Sequence, residues 1–329
     1  MYREFGTETL KSGEVMQVGC VEPPDEEWAE RIERSLAHKP DIWLDHIKKA
    51  VRGRTGDLQN YFYVGHLDGD IITGVMTVEH NRVGLLGHVF TRPDQRRKGA
   101  CTRLMKHQME DFRSRGGGLL LLGTEYETPP FKIYESLGFR GIIGQSGYMR
   151  YATEEDFEES YYAPGDVSVR PVRWEDWPGS NCLTSQPGRD VLRTVAFGGP
   201  HGGVGCFSFE EAFLHVIQGL ERDSRRRAWS AVSDSGALVG IVMLTPDARF
   251  GGGVYLLDLV VQENFWDQAG KILDGVEWPE AKVQCYTDLG CEGKVSALEA
   301  AGFTQEALLA KQLAWEGEML DVAVFSRNT

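Results

Sequence analysis

The residues best suited to chemistry lie in a basic, glycine-containing turn near residue 100. Residues 91–105 read TRPDQRRKGACTRLM, between an apolar run and a helical pattern. The start of a helix presents backbone N–H groups without intrahelical acceptors and the positive end of the helix dipole, so it can hold phosphate. Arg96, Arg97 and Lys98 would oppose that dipole if no anion were bound, and Gly99 permits close backbone approach. The turn therefore predicts an anion site, but its spacing is not that of a Walker loop.

A tyrosine in a short helical segment is the second candidate. Residues 132–139 read KIYESLGF, with Tyr134 in the middle. Pro129 and Pro130 stand where proline commonly begins a helix, and Gly138 stands where glycine commonly ends one. A tyrosine hydroxyl can exchange a proton, and it can equally serve as the polar end of a packed core ring. The segment by itself leaves both roles of Tyr134 open.

The first half of the sequence contains the elements needed to position these residues. Apolar patterning predicts strands at residues 14–21, 61–66, 71–79, 83–91, 119–122 and 142–151. Two predicted helices begin with Asp25 and Asp41 as caps, a third runs from Gly99 to Gly116, and a short fourth contains Tyr134. The strands between residues 61 and 91 follow one another closely, which predicts an antiparallel meander.

The second half of the sequence repeats this order of elements. Strands are predicted at residues 167–172, 228–232, 238–244, 253–261 and 282–286, with helices near 268–276 and before Gly302. The segment ending at Phe303 aligns with the one ending at Phe139, because both close on Gly-Phe. We therefore predict an internal duplication, with domains at 1–152 and 166–329 and an acidic, turn-rich linker at 153–165.

The two motifs together resemble a known family. Arg96-x-x-Gly99-x-Cys101, after a strand and a proline, resembles the pyrophosphate loop of the GNAT superfamily of N-acetyltransferases, in which Gly or Ala usually stands at the Cys101 position. Residues 134–139, YESLGF, are similar to a later signature of that family. The resemblance extends over residues 14–151 and implies an α/β fold of two tandem GNAT-like domains. Each domain would be a mixed, mostly antiparallel sheet with flanking helices.

The resemblance also implies a cofactor and a general acid. The cofactor is acetyl-CoA or another acyl-CoA, whose pantetheine arm would lie along the strand that ends at Thr91. A backbone N–H of this strand would polarise the thioester carbonyl. Tyr134 stands at the position of the general acid that protonates the departing thiolate. The implied cofactor-binding residues are Val89, Phe90, Thr91, Arg96, Arg97, Lys98, Gly99, Ala100, Cys101 and Thr102.

The general base is less well defined by the resemblance. Family members often carry an acidic residue or a histidine at the place of Leu85, and neither Leu85 nor Gly87 can act as a base. His88 is the candidate base, although strict alternation sends its side chain to the other face unless a β-bulge redirects it. Further candidate carboxylates are Glu79, Glu125 and Glu127. An amine that arrives unprotonated, or a chain of waters, would need no dedicated base.

The second half lacks the motifs of the first. Trp266 falls at the Arg96 place, Ala269 at the Gly99 place and Leu298 at the Tyr134 place. We interpret this half as a degenerate copy that has lost cofactor binding and shapes the acceptor site or an interface. The glycine-rich run at 198–205 is predicted to be a mobile loop able to cover an acceptor.

Composition excludes several other classes of function. The 329 residues carry a formal net charge of -14, which argues against general nucleic-acid binding. The six cysteines are scattered, without the spacing of a zinc site, and are expected to be reduced thiols, with no metal bound. No apolar run approaches the roughly 18 residues of a membrane span, so we expect a cytoplasmic protein without membrane contact.

The sequence therefore predicts an N-acyltransferase that moves an acyl group, in the first instance acetyl, from acyl-CoA to a primary amine by direct attack. The acceptor would be a small molecule or a peptide. One alternative is a non-catalytic CoA-binding sensor or interaction module, and another is a GNAT-like acyl-CoA decarboxylase. The identity of the amine and the oligomeric state, a homodimer included, stay open.

Overall fold

The chain divides into two units, Met1–Glu158 and Glu159–Thr329, in a computed structural model that describes residues 1–197, 203–251 and 253–328. The division falls within the segment predicted as a linker, where residues Phe157–Tyr161 form a short helix. Residues 198–202 of the glycine-rich run lie outside the described residues.

The N-terminal unit consists of strands and helices that follow the predicted order, with one strand added in front and a short helix at the end. The single strand predicted at 142–151 is replaced by two short strands, Arg140–Gly141 and Tyr148–Ala152. In chain order its elements are β1 (Tyr2–Thr9), β2 (Val15–Val21), α1 (Glu26–Leu36), α2 (Asp41–Ala50), β3 (Gln59–Leu67), β4 (Asp70–His80), β5 (Val83–Thr91), α3 (Ala100–Ser114), β6 (Leu119–Gly123), α4 (Pro129–Ser136), β7 (Arg140–Gly141), β8 (Tyr148–Ala152) and α5 (Phe157–Tyr161).

These strands form one eight-stranded sheet in the order β1-β2-β3-β4-β5-β6-β8-β7. The pair β5–β6 is parallel and the other neighbouring pairs are antiparallel. The meander β3-β4-β5 is the one that the short turns predict. The extra strand β1 is an edge strand with no fully buried residue, which explains why its apolar pattern was too weak to predict it.

The sheet opens at β5, and the opening is what creates the site. Strands β5 and β6 pair at Val83–Leu85 with Leu119–Leu121, and β5 continues to Thr91 beyond this pairing. A β-bulge interrupts the register between β4 and β5, and His88 within it has φ 53°. A bulge bends its strand and increases the local twist, so β5 is directed away from β6.

Helix α3 anchors the following loop because its apolar face packs on the sheet. Leu104, Met105 and Phe112 are each at most 1% exposed and belong to the main core of the unit. On the opposite flank, Asp25 caps α1 as predicted and accepts a hydrogen bond from the Trp28 N–H at 3.2 Å. The predicted cap of α2 was wrong by one residue: Pro40 is the N-cap and Asp41 is the first helical residue.

The C-terminal unit has the same order of sheet neighbours. Its elements are β9 (Val167–Pro171), α6 (Asp176–Ser185), β10 (Leu192–Thr194), β11 (Gly203–Val204), α7 (Glu210–Arg222), β12 (Arg227–Ser233), β13 (Leu238–Pro246), β14 (Val254–Val261), α8 (Ala269–Asp274), β15 (Lys282–Asp288), α9 (Glu292–Ala300), β16 (Thr304–Trp315) and β17 (Glu318–Arg327). The main sheet runs β16-β17-β15-β14-β13-β12-β9, with β14–β15 as its parallel pair. The predicted fold class, mixed α/β with two mostly antiparallel sheets and flanking helices, is confirmed.

Candidate functional site

The loop between β5 and α3 forms a cradle of backbone N–H groups. After a turn of 3₁₀ helix at Pro93–Gln95, the chain enters the left-handed region at Arg97, with φ 63°, and again at Gly99, with φ 87°. Gly99 is the N-cap of α3, and no side chain caps this helix end. The first N–H groups of α3 are therefore available to an external anion. A Cβ at Gly99 would lie 3.0 Å from Arg103 Nη1, and the left-handed φ itself disfavours other residues.

Two of the three predicted cations stand at this cradle, and the third is turned away. Arg96 and Arg97 are exposed and line the adjoining cleft, and Arg96 Nε donates to the Thr91 carbonyl at 3.2 Å. The Lys98 side chain instead donates to Glu14 Oε2 at 2.8 Å and to Gln95 Oε1 at 3.0 Å. Lys98 thus ties the loop to the hairpin between β1 and β2, and it is not among the lining residues that the structure describes.

The end of β5 offers a free edge beside this cradle. Arg92 donates its N–H to the Ile72 carbonyl on β4, and Thr91 and Phe90 are opposite Thr73 and Gly74. In an antiparallel pair successive residues point their backbone groups alternately toward and away from the partner. The N–H and C=O of Phe90 therefore face β4, and those of Thr91 face away from it. Among the predicted residues 89–91, the backbone groups of Phe90 therefore face β4 and are not free to pair with a cofactor.

A cleft of about 1070 Å³ joins the loop, the end of β5 and α4. Of the twelve predicted site residues, Val89, Phe90, Thr91, Arg96, Arg97, Gly99, Ala100, Cys101, Thr102 and Tyr134 line it. These ten residues border one cavity because the turn and the tyrosine helix both follow strands of the same sheet. Lys98 and His88 do not line the cleft, as far as the described residues show.

Tyr134 lies at the cleft on α4, where its ring is held by neighbouring apolar residues. The residue is 7% exposed and its ring meets that of Phe139 edge-on, with the ring centroids 6.0 Å apart. Pro129, Pro130 and Ile133 line the cleft on the same helix. The packing fixes the ring while leaving it in contact with the cavity.

His88 lies in a β-bulge, as its predicted role of general base requires. The bulge, however, directs its side chain toward α2 and not into the cleft. Its ring packs edge-on against Trp43, with the centroids 5.2 Å apart, and stacks near His46 at 6.4 Å. Burial, together with the positive charges of neighbouring His46, Lys39 and His38, holds the pKa of His88 well below its usual range. A neutral imidazole of such low basicity, packed under α2, is poorly placed to accept a proton from an amine in the cleft.

The alternative carboxylates are also engaged or distant. Glu79 is 5% exposed and accepts hydrogen bonds from Thr77 Oγ1 at 2.8 Å and from Arg115 Nη2 at 2.9 Å. Glu125 and Glu127 are exposed and are not among the described residues that line the cleft.

Cys101 lines the cleft as a neutral thiol. Burial raises its pKa to about 11, although a hydrogen bond with Thr91 acts in the opposite direction. The thiolate is the nucleophilic form of cysteine, and a thiol with that pKa is protonated near pH 7. This position therefore does not suit a covalent acyl-enzyme.

One wall of the cleft was not foreseen from the sequence. Four residues of α1 and of the turn that follows it line the cavity: Arg31, Arg34, Ser35 and His38. Their spacing places them on one helix face. Charged residues on such a face are normally solvated, so the sequence carried no signal that this face borders a cavity.

In the C-terminal unit, the gap between the parallel strands is filled by the chain itself. Pairing of β14 with β15 ends at Leu257 and Cys285, and beyond it Asp258 and Asp288 receive backbone N–H groups from residues 192–197. Leu192 donates to Asp288 Oδ2 at 2.8 Å, and Val195 donates to Asp258 Oδ1 at 2.7 Å. Strand β10 therefore occupies the position that corresponds to the open edge of β5.

The remaining positions of this unit differ from the first in the way the sequence suggested. Trp266 lies in a 3₁₀ segment, Glu263–Gln268. It packs closely on Gly293, since a Cβ on that glycine would lie only 2.7 Å from the Trp266 Cβ. Leu298 is completely buried. The indole and the leucine are thus packing residues.

Two kinds of feature are absent from the described residues. Within residues 1–197, 203–251 and 253–328, no three His, Cys, Asp or Glu side chains are grouped to hold a metal ion. In the same ranges no helix is both long and apolar enough to cross a membrane.

Comparisons with known proteins find one matching family and several similar solved structures. Residues 63–148 match the family described as FR47-like protein, while a comparison with curated proteins finds no match. The chain is similar to the structure of an acetyltransferase of the GNAT family from Streptococcus pneumoniae, with 17% identity and a TM-score of 0.39, over 49% of this chain and 98% of that one. It is also similar to the spermidine N-acetyltransferase from Vibrio cholerae in complex with CoA and spermine, with 16% identity and a TM-score of 0.37, over 49% of this chain and 94% of that one.

The matched family is GNAT-related, and its match spans β3 to β8 with the cradle and α4 inside it. The resemblance seen in the two motifs, the opened strand pair and this match therefore agree. Residues 63–148 of the N-terminal unit are therefore similar to a GNAT-related family.

Proposed function

We propose that the N-terminal unit binds acetyl-CoA, or a related acyl-CoA, and transfers its acyl group directly to a primary amine. The observation that carries the proposal is the single cleft that joins an uncapped helix N-terminus, a free strand edge and a tyrosine. An uncapped N-terminus suits phosphate, a strand edge suits an extended amide chain, and a phenol suits proton donation.

The residues of the cradle fit the phosphate groups of this cofactor. The Gly99 backbone has the left-handed conformation and lacks the Cβ that would crowd the loop. Arg96 and Arg97 are exposed at the cleft, and the N–H groups at the start of α3 have no side-chain cap. Charge-assisted hydrogen bonds from these groups would hold the pyrophosphate.

The strand edge and Tyr134 would act on the reacting end. When bound, the thioester supplies the activated acyl group. The N–H of Thr91, which faces away from β4, would pair with the pantetheine arm, and the Thr91 carbonyl could do so only if it released Arg96 Nε. A backbone N–H of this edge would polarise the thioester carbonyl. Tyr134 donates a proton to the departing thiolate, since the two groups have similar basicity.

The proposed mechanism gives no proton-transfer role to His88. Its packing against Trp43 and its lowered pKa disfavour that role, and Glu79 is held by Arg115. The amine therefore enters unprotonated or loses its proton to water. This departs from the expectation that His88 serves as the base.

We propose a supporting role for the C-terminal unit. Its own backbone, at residues 192–197, satisfies Asp258 and Asp288 in the gap where an acyl-CoA arm would have to lie. Trp266 and Leu298 pack in place of a cradle arginine and a tyrosine. A cofactor would have to displace β10, which would leave the buried carboxylates of Asp258 and Asp288 without their hydrogen-bond donors. Only the N-terminal unit is therefore expected to bind it.

Direct transfer is tested by initial-rate kinetics of the whole chain with acetyl-CoA and an amine, for the wild type and Cys101→Ser. Because the Cys101 thiol is protonated, we expect intersecting double-reciprocal lines and a Cys101→Ser variant that keeps most of its activity. The control is Cys206→Ser, a half-buried thiol in the C-terminal unit. Parallel lines, with an acyl adduct on Cys101 in the mass spectrum, would contradict direct transfer.

A further inference from the structure

The cleft is strongly cationic although the protein as a whole is acidic. Among the described residues that line it are six Lys and Arg side chains and one carboxylate, Asp70. The six are Lys11, Arg31, Arg34, Arg92, Arg96 and Arg97. Since the chain carries a formal net charge of -14, this local excess of positive charge marks a preference for anions.

Part of the positive charge has a partner in the protein or in the proposed cofactor. Arg92 is neutralised locally, because its guanidinium donates to Asp70 at 2.6 Å and to Asp94 at 2.7 Å. Arg96 and Arg97 belong to the cradle. Lys11 lies beside it, since its N–H donates to the Lys98 carbonyl at 3.0 Å. These cations and the end of α3 match the phosphates of CoA.

Two arginines on the other wall are left over from that pairing. Arg34 is exposed, and no ion pair or side-chain hydrogen bond to it exists among the described residues. Arg31 pairs with Glu27 at 3.2 Å, but the Glu27 side chain is 74% exposed, so water weakens this ion pair. Two neighbours hold Arg31 in place. Its guanidinium lies 4.8 Å from the Trp28 ring centroid, and its Nη1 lies beside Gly69, 3.0 Å from the point that a Cβ on this residue would occupy.

This wall, which we call the α1 wall (Arg31, Arg34, Ser35 and His38), runs along the cleft from Gly69 just before β4, where Arg31 lies, to the end of β5, where His38 lies. The His38 ring is 6.5 Å from that of Phe90, centroid to centroid. Phe90 precedes Thr91, whose backbone is the proposed partner of the pantetheine arm. An amine that attacks the acyl group would therefore extend along the α1 wall.

We propose that the acceptor amine carries a second, anionic group, a carboxylate or a phosphate, which binds to Arg31 and Arg34. This inference rests on the proposed acyl transfer and deepens it. Guanidinium groups bind either anion through charge-assisted hydrogen bonds, often in a bidentate arrangement. The same charges repel a polycationic acceptor, so a polyamine would be disfavoured.

The test compares amines with and without the anionic group. Because that group also raises the pKa of the amine, kcat/KM is calculated for the unprotonated amine. The panel consists of amino acids each matched by its own amide, O-phosphoethanolamine matched by ethanolamine, and spermidine. With wild-type protein and acetyl-CoA we expect kcat/KM to favour the charged member of at least one pair on the order of tenfold, as for one charge-assisted hydrogen bond. The two series distinguish a carboxylate from a phosphate.

The double variant Arg31→Gln, Arg34→Gln should remove this preference by raising KM for the anionic amine and leaving KM for acetyl-CoA unchanged. The matched control is Arg54→Gln, Arg113→Gln, which removes two exposed charges that do not line the cleft. It should behave as the wild type.

Three results would overturn the inference, and they differ from one another. Faster transfer to the amides or to spermidine refutes the anionic acceptor and leaves the acyltransferase proposal standing. Weaker binding of CoA but not of 3′-dephospho-CoA in the double variant assigns the two arginines to the cofactor instead. Absence of transfer to every amine, with acetyl-CoA bound, refutes the proposed function and the inference together.

Discussion

Replacing Tyr134 with Phe is expected to lower kcat by about 10²–10⁴-fold, the usual contribution of a general acid. The hydroxyl is lost, but the ring keeps its contact with Phe139 and its place at the cleft. The dissociation constant for acetyl-CoA should therefore stay unchanged. Steady-state rates and calorimetric titration on the same preparations measure the two quantities.

Tyr151→Phe is the matched control. Its hydroxyl accepts a hydrogen bond from Arg113 at 3.0 Å, and its ring also contacts Phe139, at 5.6 Å between centroids. Tyr151 does not line the cleft as described. A wild-type kcat for Tyr134→Phe, or an equal fall for both variants, would remove Tyr134 from the mechanism.

The second large effect is expected on stability, from Asp111→Ala. Asp111 is 6% exposed on α3 and accepts hydrogen bonds from Arg3 at 2.8 Å, Tyr63 at 2.7 Å and Arg115 at 3.0 Å. Burial would raise the pKa of Asp111, but these three donors outweigh burial and lower it. Removing the carboxylate leaves the buried Tyr63 hydroxyl and the partly buried Arg115 guanidinium without this acceptor, and an unsatisfied buried group typically costs about 1–3 kcal/mol.

Hydrogen-exchange mass spectrometry in urea measures this change in residues 1–158 of the full chain. The control is Glu154→Ala, because the pair Arg82–Glu154 is about half exposed and should contribute roughly 0–1 kcal/mol. Because the pKa of Asp111 is lowered on folding, its stabilisation is present above the unfolded pKa and is lost as the pH falls through the folded pKa. Equal stability of both variants at neutral pH would show that the network contributes little.

Much of the N-terminal unit could be predicted because its signals are local. The turn at Arg96 to Gly99, the strand before it and the helix after it are contiguous in sequence, so their patterns determine the cradle directly. Tyr134 lies at the same cleft because β6, which precedes its helix, is parallel to β5. The segments that follow two parallel neighbouring strands begin at the same edge of the sheet. The two motifs therefore led to one cleft without knowledge of distant contacts.

The features that were missed depend on long-range contacts. Lys98 was predicted to be a third cation of the cradle. Its side chain instead turns to Glu14, which is 84 residues away in the sequence. The bulge at His88 was foreseen as an option, but the side chain's direction depends on Trp43 in α2. The α1 wall has the sequence of a solvated helix face. In the C-terminal unit, β10 is only three residues long, so no pattern indicates that it fills the gap between β14 and β15.

Calorimetric titration of acetyl-CoA and CoA into the whole chain tests the central claim most directly, with the wild type compared with Arg96→Ala, Gly99→Trp. The matched control is Arg54→Ala, Gly144→Trp, since Gly144 has no atoms near its missing Cβ. We predict micromolar binding of one cofactor per chain, unchanged in the control and weakened by about 100-fold or more in the loop variant. Absence of binding to the wild type, or equal binding to the loop variant, would contradict the assignment of the cofactor to this cradle.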